Sequence, residues 1–194
     1  MNVTIIGAGN MGRGIGHRLV AGGHDVTVVD RDREEAGRLA EELRGAARGG
    51  ATVEAAGPGA ELSGDVVILA VYFPGNLEIA TDLGDSLAGE VVVDISNPLS
   101  ETFDGLATAP GISAAEEVAQ SAPPGVRVVK TFNTSFSGTL VEDQVAGEPL
   151  DVLMAGEEEA KEKVAQLVRD GGCGPSTWVL WSALGSLRIW GSSG

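Results

Sequence analysis

Three glycines in the string Gly7-Ala8-Gly9-Asn10-Met11-Gly12 supply the first chemistry this chain could do. They fit GxGxxG, the pattern with which a strand-to-helix turn receives a pyrophosphate. Gly7 permits the tight turn, Gly9 lets the backbone approach the anion, and Gly12 allows helix and strand to pack closely. The backbone at Asn10, Met11 and Gly12 then presents helix-start amides to the phosphates. A lone GxGxxG is weak evidence. Here it follows the run VTII, opens an amphipathic stretch through Val20, and is followed by the acid-ended run VTVVD. Asp30 closes that second run, where a carboxylate accepts hydrogen bonds from the adenosine ribose hydroxyls and repels a 2′-phosphate, which favours NAD. Arg31 and Arg33 follow at once, and a guanidinium there can grip that phosphate or stack on adenine, which favours NADP. At this level the choice between NADP and NAD stays open, and the alternative for both arginines is a solvated helix start.

A dinucleotide held by that turn places its reactive end beyond the carboxyl ends of the strands. Three loops qualify. Ala70, Val71 and Tyr72, after DVVILAV, are expected beside the nicotinamide ribose as cofactor contacts. Ser96 and Asn97, after EVVVD, and Lys130 and Asn133, within VKTFNT, are expected to bind substrate, with Asn133 the foremost. The plainer alternatives are packing for Tyr72 and Phe73, a simple turn at Asn97-Pro98, and a solvent-pointing Lys130. Hydride transfer to a carbonyl usually needs an acid, whereas transfer to a flavin-like ring mainly needs stacking, alignment and a nearby donor. No residue stands out as a general acid, so no catalytic residue is assigned. Neither His17, on the first helix, nor His24, in the turn GGHD, has a triad-like or metal-like setting. Without a serine nucleophile elbow, paired carboxylates or zinc-ligand spacing, hydrolytic and metal chemistry lack support.

The elements needed to position these loops are legible as alternating periods. VTIIG, VTVVD, ATVEA, DVVILAV, EVVVDIS, VRVVKTF and PLDVLMAG read as strands. Their continuous Val/Ile/Leu runs suit parallel strands buried on both faces. Between them, amphipathic helices are expected from the glycine turn through Val20, from Arg33 to about Arg44, from Gly75 to Leu87, and from Glu157 to Asp170. Segments 56–64 and 121–125 are Pro/Gly-rich turns. The pattern predicts an α/β chain of Rossmann type: one domain over 1–194, with a doubly wound, mainly parallel sheet of seven or eight strands and helices on both faces.

Composition narrows the partners. A length of 194 residues suffices to bury a sizeable core. The net charge of −15 and isoelectric point near 4.4 disfavour DNA, RNA and anionic membranes, leaving a small-molecule substrate as the expected partner. No uncharged apolar run approaches the roughly 20 residues a bilayer requires. The start MNVTIIGAG lacks the basic stretch and cleavage site of a signal peptide, so export is not expected. A single cysteine, Cys173, can form neither an internal disulfide nor a metal knuckle, which fits a reducing cytoplasm.

The strings TIIGAGNMGRGI, GHDVTVVDRDREEA, DVVILAVYFPGNLEIATDL, VVVDISNPL, VVKTFNT and LDVLMAG, in this order and spacing, resemble the reductases that pass hydride between NADP and the deazaflavin coenzyme F420, together with their dinucleotide-binding relatives. The resemblance runs from Met1 to about Gly172. It implies an oxidoreductase with NADP or NAD as cofactor and a deazaflavin or related planar acceptor as substrate. The alternative is a non-catalytic NAD(P)-binding sensor or partner subunit. In that family a small polar residue and an arginine commonly follow the second strand to hold the NADP phosphate; Arg31 matches and Asp30 departs. Lys130 and Asn133 fall in the loop that lies against the ring system in the deazaflavin reductases. Related imine and hydroxy-acid reductases append a large helical domain, for which this length leaves no room. A homodimer could supply missing walls of the site.

Residues 173–194 change character, gathering all three tryptophans and the only cysteine. Back-translated and read one nucleotide earlier, with free third-base choice, the segment can encode the GPL turn and arginine-rich closing helix of the resembled family. The expectation is a frameshift near Gly172, with STWVLW still able to pair as a last strand. The alternative is an ordinary packed tail built on Trp178, Trp181 and Trp190. Sequencing the source DNA against an in-frame relative decides between them.

Overall fold

Strands form where Val and Ile dominate, because branched side chains suit a pleated surface packed on both faces. The computed structural model describes residues 1–60, 62, 64–100, 102, 104–142 and 144–177. In chain order the first half comprises β1 (Asn2–Ile6), α1 (Asn10–Ala21), β2 (Asp25–Val29), α2 (Arg33–Ala46), β3 (Val53–Ala56), β4 (Val66–Leu69), α3 (Phe73–Leu83) and β5 (Val91–Asp94). A 3₁₀ turn at Gly84–Leu87 extends α3. The remainder comprises α4 (Ala114–Ser121), β6 (Arg127–Thr131), α5 (Ser137–Glu142), a short hairpin of β7 (Gln144–Val145) and β8 (Glu148–Pro149), then β9 (Asp151–Gly156), α6 (Glu158–Asp170) and β10 (Gly174–Thr177).

Eight strands make one sheet in the order β10-β9-β6-β5-β4-β1-β2-β3. Its β3-to-β6 portion is the doubly wound Rossmann order, and the strand order reverses between β1 and β4, which opens a crevice at their carboxyl ends. All pairings are parallel except β9 with β6. Fully buried side chains fill both faces. Ile5, Ile15, Leu43, Val93 and Val164 pack on the side of α1, α2 and α6, whereas Leu69, Phe73, Ala80, Val92 and Val118 pack on the side of α3 and α4. The parallel strands are therefore covered on both sides, as their unbroken apolar runs require.

Local signals set the ends of the helices. Asp32 caps α2 by accepting from the Glu34 and Glu35 amides, and Ser113 with Glu116 forms a capping box at α4. The third helix begins at Phe73 rather than Gly75, with Pro74 in its first turn, where its missing N–H costs nothing. Ser176 and Thr177 of the expected last strand lie in β10, which pairs in parallel with β9. Trp178, Trp181 and Trp190, and with them most of the anomalous tail, lie outside the described residues. Among the described residues no helix is long and apolar enough to cross a membrane.

Candidate active site

The glycine turn separates what the fold needs from what a ligand needs. Gly7 has φ +117°, and a Cβ there would lie 2.6 Å from the Ala70 carbonyl oxygen; a Cβ at Gly12 would overlap the Gly7 carbonyl. Both glycines are thus set by the packing of the fold itself. Gly9 is different: its φ is −72°, and a Cβ would meet nothing within 4 Å. The empty space beside Gly9 is the cradle a pyrophosphate would fill. Gly9 is also the N-cap of α1, without a side-chain cap and with no acidic residue in the first turn. By contrast α2, α4 and α6 each carry two glutamates in the first turn. No side chain of α1 itself caps or offsets the partial positive charge at its start, and its first amides, from Asn10, Met11 and Gly12, have the orientation that receives an anion.

At the end of β2, one Asp30 oxygen accepts from the Ala8 amide at 2.7 Å and the other from the Asp32 amide at 2.9 Å. The carboxylate is fastened to the glycine turn and keeps further lone pairs for ribose hydroxyls. Nearby cations are mostly committed: Arg13 pairs with Glu42, Arg38 with Glu35 and Arg44 with Glu41. Arg31 and Arg33 are exposed and make no side-chain hydrogen bond or ion pair among the described residues. The Arg33 guanidinium lies over Gly57, in a depression bounded by residues 55–60. Arg31 and Arg33 thus leave two uncommitted guanidiniums just after β2, on a chain of net charge −15, with the charge and donors an added phosphate needs.

Across the crevice, Ala70 donates to the Ile6 carbonyl at 2.8 Å and abuts Gly7, which places the chain after β4 against the glycine turn. Tyr72 is 87% exposed at the N-cap of α3, whereas Phe73 is buried. The packing alternative therefore holds for Phe73 and fails for Tyr72.

The ends of β5 and β6 are joined by a buried polar cluster. Asp94, fully buried, receives Asn76 Nδ2 at 2.7 Å and the Ser96 amide at 2.9 Å on Oδ1, and Lys130 Nζ at 2.8 Å on Oδ2. Lys130 also donates to the Ser96 carbonyl. Only 9% exposed, it does not point to solvent from a strand end. Burial pushes its ammonium below the usual lysine range, while Asp94 pulls it back up. Ser96 Oγ and Asn76 Oδ1 are buried without a hydrogen-bond partner among the described residues. At the surface of the cluster, Asn97 Nδ2 donates to the Asn133 carbonyl at 3.0 Å, and Asn133 Nδ2 returns a bond to Asn97 Oδ1 at 3.3 Å. Phe132 precedes this clasp with φ +59°, a conformation that L residues rarely hold without support.

The structure thus brings Ser96, Asn97, Lys130 and Asn133 together, and Gly7, Gly9, Asp30, Ala70 and Tyr72 around the crevice. Sequence reasoning missed Asp94 and Asn76 as members of the site. Aligning EVVVD with RVVK as neighbouring strands would have found the first, since Asp94 and Lys130 are register partners. Both histidines are structural: His17 bonds Glu42, and His24 sits between the Met1 amine and Asp170.

An uncapped helix behind a glycine turn, facing the switch point of a doubly wound sheet, defines a dinucleotide-binding protein of Rossmann type, and its relatives make it an NAD(P)-dependent oxidoreductase. The chain belongs to the coenzyme F420-dependent NADP oxidoreductase family. The model of that family matches residues 2–98. An F420-dependent NADP reductase of Methanothermobacter thermautotrophicus is 30% identical over 179 residues, which cover 86% of this chain and 75% of that one. Among solved structures, a hypothetical protein of Sinorhizobium meliloti is similar with a TM-score of 0.84 at 27% identity, over 98% of this chain and 91% of the other. The 3-hydroxyisobutyrate dehydrogenase of Mycobacterium tuberculosis shares the fold, with a TM-score of 0.65 at 17% identity; the match covers 95% of this chain and 56% of that one.

Proposed function

We propose that this protein transfers a hydride between NADP(H) and a deazaflavin of the coenzyme F420 kind. The observation that carries the reading is the space beside Gly9, which the fold leaves open at an uncapped helix start. In this reading the amides of Asn10, Met11 and Gly12 hold the pyrophosphate, Asp30 holds the ribose, and Arg31 with Arg33 holds the 2′-phosphate. The uncommitted state of those two guanidiniums favours NADP over NAD. Ala70, Val71 and Tyr72 line the nicotinamide side. Ser96, Asn97 and Asn133 border the acceptor, whose ring needs alignment and a donor rather than a strong acid. When bound, NADPH supplies the hydride; the chain's own work is to orient both partners and to keep water from between them.

The reading extends to a cytoplasmic homodimer that covers the exposed Tyr72 and Phe136, 87% and 78% accessible in the single chain. Sedimentation as one species of twice the chain mass checks the dimer. For the activity, the test is fluorescence titration with NADPH and NADH, followed by spectroscopic assay of deazaflavin reduction. Tighter binding of NADPH with turnover supports the proposal. Binding without deazaflavin turnover sinks the acceptor assignment, and absence of binding sinks the cofactor assignment.

A further inference from the structure

A buried lysine–aspartate pair is an expensive way to join two strands. Desolvating both charges costs several kcal/mol, and well-packed apolar residues often serve stability as well or better. The Asp94–Lys130 pair therefore calls for a purpose beyond holding β5 to β6, which the sheet ladder already does. Its geometry supplies one. Lys130 reaches past Asp94 to the carbonyl of Ser96, the first residue of the acceptor-side loop to be so anchored, while Asp94 takes the Ser96 amide. Ser96 is thus held by both of its backbone polar groups.

A planar trans peptide carries its C=O and its following N–H in opposite directions. With the Ser96 carbonyl turned inward to Lys130, the Asn97 N–H is turned outward. Asn97 is exposed, and its amide makes no hydrogen bond among the described residues. Its side chain is already engaged on both polar atoms by Asn133. Among the described residues the Asn97 backbone N–H is thus an exposed, uncommitted donor at the carboxyl-end surface, held from behind by a buried ion pair, whereas the unpartnered Ser96 Oγ is buried.

We propose that the Asp94–Lys130 pair is a positioning device for hydride transfer: by holding the Ser96 carbonyl inward it aims the Asn97 amide at the negative charge the acceptor gains. This rests on the reading of the site given above. In the transfer a C–H bond of the reduced nicotinamide breaks and its electron pair forms a C–H bond on the acceptor ring. The nicotinamide is oxidised and the ring reduced. The pair displaced within the conjugated ring comes to rest on a ring oxygen or nitrogen, which later takes a proton from water. A fixed amide beside that atom stabilises the charge as it develops, as oxyanion-type donors do. Lys130 and Asp94 touch neither partner and act through Ser96.

The test is the paired replacement Lys130→Met with Asp94→Asn, which removes both buried charges and leaves an acceptor for Asn76 and Ser96. Two readouts are needed. In the nucleotide-free protein, ¹⁵N relaxation should show the Asn97 amide rigid and open to solvent exchange in the wild type, and mobile in the variant. With NADPH and a synthetic 5-deazaflavin, the variant should bind NADPH within about 2-fold of wild type and keep its acceptor KM within about 3-fold. Its kcat should fall at least 10-fold, towards the roughly 10²–10³-fold seen when such a donor is lost outright. A kcat within 3-fold of wild type, or an Asn97 amide equally rigid in both proteins, overturns the proposal. If the wild type transfers no hydride to any deazaflavin, the acceptor assignment fails and the catalytic role proposed here falls with it; the relaxation measurement then still tells whether the pair orders the Asn97 amide, which separates that failure from a failure of the positioning itself.

Discussion

Gly9 and Gly12 stand three residues apart and make opposite demands. Gly12→Ala forces a methyl into the Gly7 carbonyl, which a backbone atom cannot yield to cheaply, so overpacking should destabilise by about 1–3 kcal/mol or more. Gly9→Ala meets open space at an ordinary φ and should cost only the poorer N-cap, up to about 1 kcal/mol or a few degrees in melting temperature, less than Gly12→Ala. The same methyl, however, stands where the phosphates approach, and NADPH affinity should fall at least 10-fold. Thermal melts beside fluorescence titrations check the pair, and a Gly9→Ala protein that binds NADPH normally would remove the cradle argument. At Arg31 and Arg33, replacement by Ala should cost about 10- to 100-fold in NADPH affinity, the scale of a hydrogen bond to a charged group of about 1.5–3 kcal/mol, and leave NADH binding unchanged. Equal losses for both nucleotides would assign these side chains to adenine instead. The glycines and Asp30 were readable because their spacing is local. Asp94 was not singled out because its partners are Asn76 and Lys130, 18 and 36 residues away, and only strand alignment joins them.

At the scale of elements, the same contrast appears between capped and uncapped helix starts. Asp32 satisfies two amides of α2 beside the arginine pair. Asp32→Ala should lower stability by about 1 kcal/mol and the melting temperature by a few degrees, with NADPH affinity little changed. A change in affinity without a change in melting temperature would show that Asp32 contacts the nucleotide. The strands and long helices were legible because their periods differ clearly, 2 or continuous for strands and 3.6 for helices. The eight-residue α4, the six-residue α5 and the β7/β8 hairpin were not, since about two turns of helix, or a single strand alternation, repeat too few times to show a period. Nor does any residue pattern announce that β9 runs antiparallel to β6. That direction follows from the route through α5 and the hairpin, a tertiary matter that sequence periods do not encode.

For the molecule as a whole, charge and pH pull in different directions. Lowering pH toward the isoelectric point near 4.4 relieves the self-repulsion of a chain with net charge −15, which by itself favours folding. His24 opposes this. It is buried where the chain start, the end of α6 and the start of β2 meet, with the Met1 amine at 3.2 Å from Nδ1 and Asp170 at 3.3 Å from Nε2. Burial, and then the amine's positive charge, hold its pKa below 6.5, although Asp170 and Asp25 pull it upward. A histidine whose folded pKa lies below the unfolded value binds protons more readily when unfolded, so its contribution to stability is complete above about pH 6.5. That contribution is lost as pH falls from 6.5 through the folded pKa. Glu42, held low first by its bond from His17, and Asp25, held low by its bonds from Thr52, add losses only in the more acidic carboxylate range. Unfolding free energy from urea titrations should therefore decline between pH 7 and pH 5 despite the shrinking net charge, and His24→Gln should flatten that decline by removing the titrating ring. A wild-type profile that is flat or rising on acidification, or a His24→Gln profile parallel to it, would show that self-repulsion rather than His24 governs stability in this window.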